Sequence, residues 1–139
     1  MELVFATGNK HKAQEAQNIL GLEMPELKIL TYDGPEPVES GTSFLENARI
    51  KARAAFAATG KPAFADDSGI AVEVMGGAPG IFSAIWSGTR EDKINRDLLL
   101  AQLIDIPEEH RAAAFVCTIV LVSDSGEVSF TGIWQGSMG

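Results

Sequence analysis

Glu2-Leu3-Val4-Phe5-Ala6-Thr7-Gly8-Asn9-Lys10-His11-Lys12 opens the chain after Met1 and changes character at its middle. Glu2 to Ala6 is a short apolar run with the Val and Phe that suit a strand. Thr7-Gly8-Asn9 interrupts it. From Lys10 to about Leu20 the apolar residues take helical spacing, with Ala13, Ala16 and Leu20 on one face and Gly21 at the end. A strand that passes through a tight loop into a helix is the building unit of an α/β fold, and the rest of the chain continues the alternation.

Leu27 to Thr31 reads as a second strand, and Asp33-Gly34-Pro35-Glu36-Pro37 as a loop, because its two prolines lack the amide hydrogens a ladder needs. Ser43 followed by Glu46 is a capping box, so a helix starts there. Its apolar stripe is Leu45, Ala48, Ala52, Ala55 and Phe56, and Gly60 with Pro62 marks its end. Asn47 and Lys51, four apart, share another side of that helix. Ala63 to Asp66 and Ile70 to Val74 are expected as two strands flanking Asp66-Asp67-Ser68-Gly69, since adjacent carboxylates and a glycine disfavour a continuous pleat. After the glycine-rich loop from Met75 to Gly80 comes a helix from about Glu91 to Ile104, with Ile94, Leu98, Leu99 and Leu103 inward. Ala112 to Ser123 and Glu127 to Trp134 form a hairpin around Asp124-Ser125-Gly126.

With 139 residues, 45% of them hydrophobic, and mean hydropathy near zero, the chain is expected to fold as one domain, residues 1–139, around one core. Nineteen acidic residues against eleven Lys and Arg argue against nucleic acid or an anionic membrane as partner. An anionic substrate therefore needs a locally basic pocket. The lone Cys117 lies in an apolar run and reads as a buried small hydrophobe, which excludes a disulfide scaffold. No stretch has the length of a membrane span, and a reducing cytoplasmic setting is expected. Trp86 and Trp134 fit ordinary core positions.

Two places carry chemistry. The segment Thr7 to Lys12 gathers backbone amides, a hydroxyl, an amide side chain and cations at the start of a helix, which suits a phosphate. The same residues also fit a simple chain reversal with solvated lysines, and they lack the spacing of a Walker loop. Asp66 and Asp67 offer hard oxygen ligands for magnesium, with Glu39 as a third candidate; a solvated turn is the alternative.

Taken together, Ala6-Thr7-Gly8-Asn9-Lys10-His11-Lys12, then Ser43-Phe44-Leu45-Glu46-Asn47-Ala48 through Lys51-Ala52, then Ala65-Asp66-Asp67-Ser68-Gly69 with Gly76-Gly77-Ala78-Pro79-Gly80, resemble the non-standard purine nucleoside-triphosphate pyrophosphatases that include the inosine triphosphatases. The resemblance spans nearly the whole chain. It implies a mixed twisted sheet with flanking helices, hydrolysis of ITP, dITP and XTP to monophosphate and pyrophosphate, and magnesium as cofactor. It further implies that Thr7, Gly8, Asn9, Lys10, His11, Lys12 and Lys51 hold the triphosphate and that Ser68 contacts substrate. Glu39 and Asp67 would bind the metal, with Asp66 beside them, and Asp67 would be the base, assisted by Lys12 and Lys51. Glu46 is explained by capping, and Asn47 by bracing the loop that carries Glu39.

The sequence departs from the family pattern at Ile85, which stands where relatives carry an arginine. It also stops before the Gly-Phe-Gly-Tyr-Asp-Pro and Ser-His-Arg motifs by which relatives recognise the purine, so the reading is of a domain lacking its last elements. A homodimer through the hairpin at Trp134, or the segment around Trp86, is expected to cover the apolar surface this leaves. Two other readings stay open: a catalytically silent nucleotide-binding or interaction module, and a pyrophosphatase of relaxed base specificity.

Overall fold

A computed structural model describes residues 1–139. Strands β1 (Glu2–Phe5), β2 (Lys28–Thr31), β3 (Ala63–Val72), β4 (Ala112–Ser123) and β5 (Gly126–Ser137) form one sheet in the order β2-β1-β3-β4-β5. β1 runs parallel to both neighbours, with Val4 opposite Leu30 on one side and Ala63 on the other. Only Asp124 and Ser125 separate β4 from β5, a connection that joins antiparallel strands, so the sheet is mixed. Helices α1 (Lys10–Leu20), α2 (Phe44–Thr59) and α3 (Asp92–Gln102) complete the architecture. The chain divides into two compact units.

The first unit comprises Met1–Asp66 and Ile119–Phe130. Its strands alternate between two faces, as a pleat requires. Val4, Ala63 and Ala65 turn toward α2, whose Ala48, Ala52 and Ala55 are fully buried against them, together with Tyr32, Val120 and Val122. Phe5 and Phe64 turn the other way and stack, ring centroids 4.3 Å apart, beneath Ala13 of α1. The run of alanines lets α2 lie close to the sheet, where a larger side chain would overpack. Gly60 ends α2 in the left-handed region, φ 70°, as the sequence suggests. Gln17 ties α1 to β2: its amide donates to the Leu27 carbonyl at 2.9 Å and its oxygen accepts from Ile29 N–H at 2.7 Å. Arg49 and Arg53 of α2 both grip the Glu127 carboxylate at the start of β5, the former at 3.0 Å.

The second unit comprises Asp67–Thr118 and Thr131–Gly139. Val72, Leu99 and Leu103 form its core, with Ile70, Met75, Trp86 and Ile106 against them. The inward face of α3 differs from the sequence expectation: Leu99 and Leu103 are buried, but Ile94 and Leu98 are exposed, and Asn95 takes the inner position. The reason is a polar hub. Asn95 Oδ1 accepts from Ser87 N–H and Oγ at 2.7 and 2.6 Å, while Nδ2 donates to the Ala84 and Thr89 carbonyls at 2.8 and 3.2 Å, so the buried amide is satisfied and closes the loop before α3.

Three further expectations are corrected. β3 is one unbroken ten-residue strand through Asp66-Asp67-Ser68-Gly69. Its carboxylate at Asp66 is countered by Lys12, which removes the charge penalty that argued for a break. Cys117 is half-buried, the inward residue of that part of β4 being Thr118. Trp134 is 61% exposed and leans on Phe115 with centroids 6.1 Å apart, whereas Trp86 joins the second unit's core and donates its indole N–H to Gln102.

Candidate active site

The parallel strands β1 and β2 deliver their carboxyl ends to the same edge of the first unit, the usual place for a binding crevice in an α/β sheet. There Ala6 and Thr7 just after β1, Tyr32 just after β2, Glu36, Pro37 and Glu39 from the following loop, Lys12 of α1, Lys51 of α2 and Asp66 of β3 line a cavity of about 130 Å³. Small-molecule pockets are typically some 300–1,000 Å³. This one has room for one charged end of a nucleotide rather than the whole of it.

Two ion pairs cross the cavity. Because Phe64 and Asp66 share the α1 face of β3, the Asp66 carboxylate meets Lys12, with Nζ 3.1 and 3.3 Å from its two oxygens. The ammonium also lies over the Phe5 ring, 5.4 Å from its centroid. From the other helix, Lys51 Nζ donates to the Asp66 carbonyl at 2.5 Å and stands 3.2 Å from Glu39 Oε1.

The N-terminal loop is built differently from a free anion cradle. Asn9 caps α1: its Oδ1 accepts from His11 N–H at 3.0 Å and Lys12 N–H at 3.2 Å, and its own N–H goes to Thr7 Oγ1 at 3.1 Å. Of the residues read from sequence as phosphate-holding, Thr7, Lys12 and Lys51 reach the cavity. Gly8, Asn9, Lys10 and His11 do not line it, and the exposed His11 imidazole pairs with Glu15 at 2.9 Å. Asp67 and Ser68 are half-buried members of β3 in the second unit, and strand alternation turns the Asp67 side chain to the face opposite that of Asp66.

The entrance to α2 fixes Glu39. Ser43 Oγ accepts from Glu46 N–H at 3.1 Å, as a capping box requires, but Glu46 reaches one residue further back than expected, accepting from Thr42 N–H at 2.7 Å. Asn47, 4% exposed, accepts from Gly41 N–H at 2.8 Å. It braces the segment two residues beyond Glu39. Gly41 has no room for a side chain, since a Cβ there would stand 2.6 Å from Glu46 Cβ and 2.7 Å from Asn47 Oδ1.

Sequence reasoning missed Tyr32, Glu36 and Pro37. The signal was present: a proline-bearing loop after the end of a parallel strand is where α/β proteins place function. Tyr32 is held by its hydroxyl, which donates to the Pro35 carbonyl at 3.2 Å.

The lining sets two ammonium groups against three carboxylates, so a bare polyphosphate meets excess negative charge. No three acidic, histidine or cysteine side chains gather into a self-sufficient metal cage. The candidate ligand atoms of the lining are carboxylate oxygens, which fit a hard cation of the magnesium type, an ion that typically takes one or two carboxylates and completes its shell with water and substrate phosphate.

Residues 3–139 match the family model described as the Ham1 family. The chain is 54% identical over 138 residues to a dITP/XTP pyrophosphatase of Leifsonia xyli subsp. xyli, covering 98% of this chain and 69% of that protein. Among solved structures, the nucleoside-triphosphatase / dITP/XTP pyrophosphatase of Mycobacterium abscessus superposes with TM-score 0.85 at 41% identity, covering all of this chain and 75% of that one. A HAM1 protein from Coxiella burnetii gives TM-score 0.89 at 34% identity, with 73% of its chain covered. The mixed five-stranded sheet with flanking helices is the fold these structures share with this chain.

Proposed function

This chain belongs to the Ham1 family, and we propose that it hydrolyses non-standard purine nucleoside triphosphates, ITP, dITP and XTP, to the monophosphate and pyrophosphate. The observation that carries this reading is the convergence of Thr7, Lys12, Glu39, Lys51 and Asp66 on one cavity. The 54% identity to a dITP/XTP pyrophosphatase supports the substrate class.

The phosphate end of the substrate enters the cavity, where the Lys12 and Lys51 ammonium groups donate to its oxygens and offset their charge. Thr7 supplies a hydroxyl beside them. Glu39 and Asp67 are the proposed magnesium carboxylates; when bound, the ion withdraws charge from the phosphoryl oxygens and the departing pyrophosphate. Water attacks the α-phosphorus, Asp67 takes its proton, and the bond from that phosphorus to the bridging oxygen breaks. The site is chiefly a device for placement and charge. A cytoplasmic homodimer is the proposed setting, with the exposed Trp134 hairpin the better-supported contact.

The test is to incubate the purified chain with magnesium and ITP, XTP, dITP, GTP or ATP and to measure pyrophosphate. Release from ITP, XTP and dITP well above GTP and ATP is expected, and Asp67→Asn should abolish it. Equal release from all five would replace the specificity with a relaxed one, and none from any would overturn the enzyme reading.

A further inference from the structure

Asp66 touches both lysines assigned to the substrate, through chemically different groups. Its carboxylate takes Lys12 with both oxygens, at 3.1 and 3.3 Å, and its main-chain carbonyl takes Lys51 at 2.5 Å. Lys12 and Lys51 come from helices on opposite faces of the sheet, so β3 passes between them and Asp66 is the shared anchor. The Phe5 ring, 5.4 Å from Lys12 Nζ, restricts the ammonium from another side. A third of its donor capacity or more stays free for an incoming anion, because an ammonium has three hydrogens.

We propose that Asp66 is a positioning residue, its carboxylate orienting Lys12 and its carbonyl orienting Lys51 toward the polyphosphate, and that it is not a metal ligand. This rests on the triphosphate reading given above. Both oxygens of Asp66 are taken by Lys12, whereas Glu39 meets Lys51 through Oε1, and a divalent ion on the same two Asp66 oxygens would sit against the Lys12 ammonium, where like charges repel. The metal role then falls to the other carboxylates, and Asp66 acts on the substrate only through the lysines.

The division of labour within Asp66 makes the inference testable. Asp66→Asn removes the charge that holds Lys12 but keeps the carbonyl that holds Lys51. Manganese alone, titrated by electron paramagnetic resonance, reports metal binding; inorganic tripolyphosphate with magnesium, titrated by calorimetry, reports anion binding without any turnover. Asp66→Asn should leave manganese affinity within about threefold and weaken tripolyphosphate about tenfold or more, the scale of a charge-assisted hydrogen bond. The same substitution should add nothing further in a Lys12→Met background, yet keep its full factor in Lys51→Met, because coupling appears only between groups that act together. Asp66→Glu, which keeps the charge and displaces it by one methylene, should fall between wild type and Asp66→Asn and serves if the latter does not fold.

A tenfold loss of manganese affinity in Asp66→Asn would make it a metal ligand and overturn the inference. So would tighter tripolyphosphate binding, which would make it a competitor for Lys12, or an unchanged factor in Lys12→Met. Failure of the wild-type chain to bind tripolyphosphate at all would overturn the functional reading as well, which separates the two failures.

Discussion

Replacing Asn47 by Ala removes the acceptor of the Gly41 backbone amide. Asn47 is 4% exposed, and its Oδ1 is the partner of the Gly41 N–H at 2.8 Å. Leaving a half-buried amide without an acceptor costs about 1–3 kcal/mol. For a chain of this size that corresponds to a fall of roughly 4–12 °C in the unfolding midpoint. The functional consequence follows from what the bond holds: Gly41 is two residues from Glu39, and Glu39 is held to Lys51 on the turn after Asn47. Release of the loop frees one of the carboxylates that line the cavity and should raise the magnesium concentration for half-maximal pyrophosphate release about tenfold, while activity at saturating magnesium recovers most of its value, because Lys12, Lys51 and Asp67 are untouched. Gly41→Ala perturbs the same segment from the other side, by a Cβ at 2.6 Å from Glu46 Cβ, and should give the same signature. Calorimetry for stability and a magnesium titration for activity decide it. An unchanged magnesium requirement in both variants, with stability lowered as stated, would refute the argument that Asn47 serves Glu39.

Leu103→Ala, at a position 1% exposed in the second unit's core, should lose about 2–5 kcal/mol in chemical denaturation. Glu127 is held below the ordinary carboxylate value of 4.5 by its hydrogen bond to Arg53, then by the charges of Arg53 and Arg49. A depressed folded-state pKa gives stability that is present above the unfolded value and lost as pH falls through the folded one, so Glu127→Gln should be less stable than wild type at pH 7 and the difference should shrink as pH falls from 4.5 through the folded-state value in thermal unfolding. His11→Ala should leave pyrophosphate release within about twofold, since its imidazole pairs with Glu15 outside the cavity. Trp134→Ser should lower the mass measured by light scattering at micromolar concentration; a dimer mass that persists removes Trp134 from the contact.

Most of the fold was legible because its signals are local. The strand-to-helix change at Thr7-Gly8-Asn9, the Ser43 cap and the alanine stripe of α2 are such signals, and β1, α1 and α2 formed where expected within a residue or two, whereas β5 runs three residues beyond its expected end. What failed depended on distant partners. Nothing near Asp66 in sequence says that Lys12, fifty-four residues earlier, will neutralise it and let β3 run straight. Nothing local ranks Asn95 above Ile94 as the inward residue of α3; Ser87 and the carbonyls of Ala84 and Thr89 decide that. The candidate site divided the same way. Its lysines and acids were readable as residue types in motifs, but the capping of α1 by Asn9 was not, and Tyr32, Glu36 and Pro37 became visible only once β2 placed them beside β1.

Attack of water on the α-phosphorus of a non-standard purine triphosphate leaves an isotopic signature in the products, read by turnover of dITP with magnesium in ¹⁸O-enriched water followed by ³¹P nuclear magnetic resonance. dIMP and pyrophosphate are expected in equal amounts, with the label in the dIMP phosphate and none in pyrophosphate. Release of dIDP and labelled orthophosphate, or label in pyrophosphate, would contradict attack at that phosphorus.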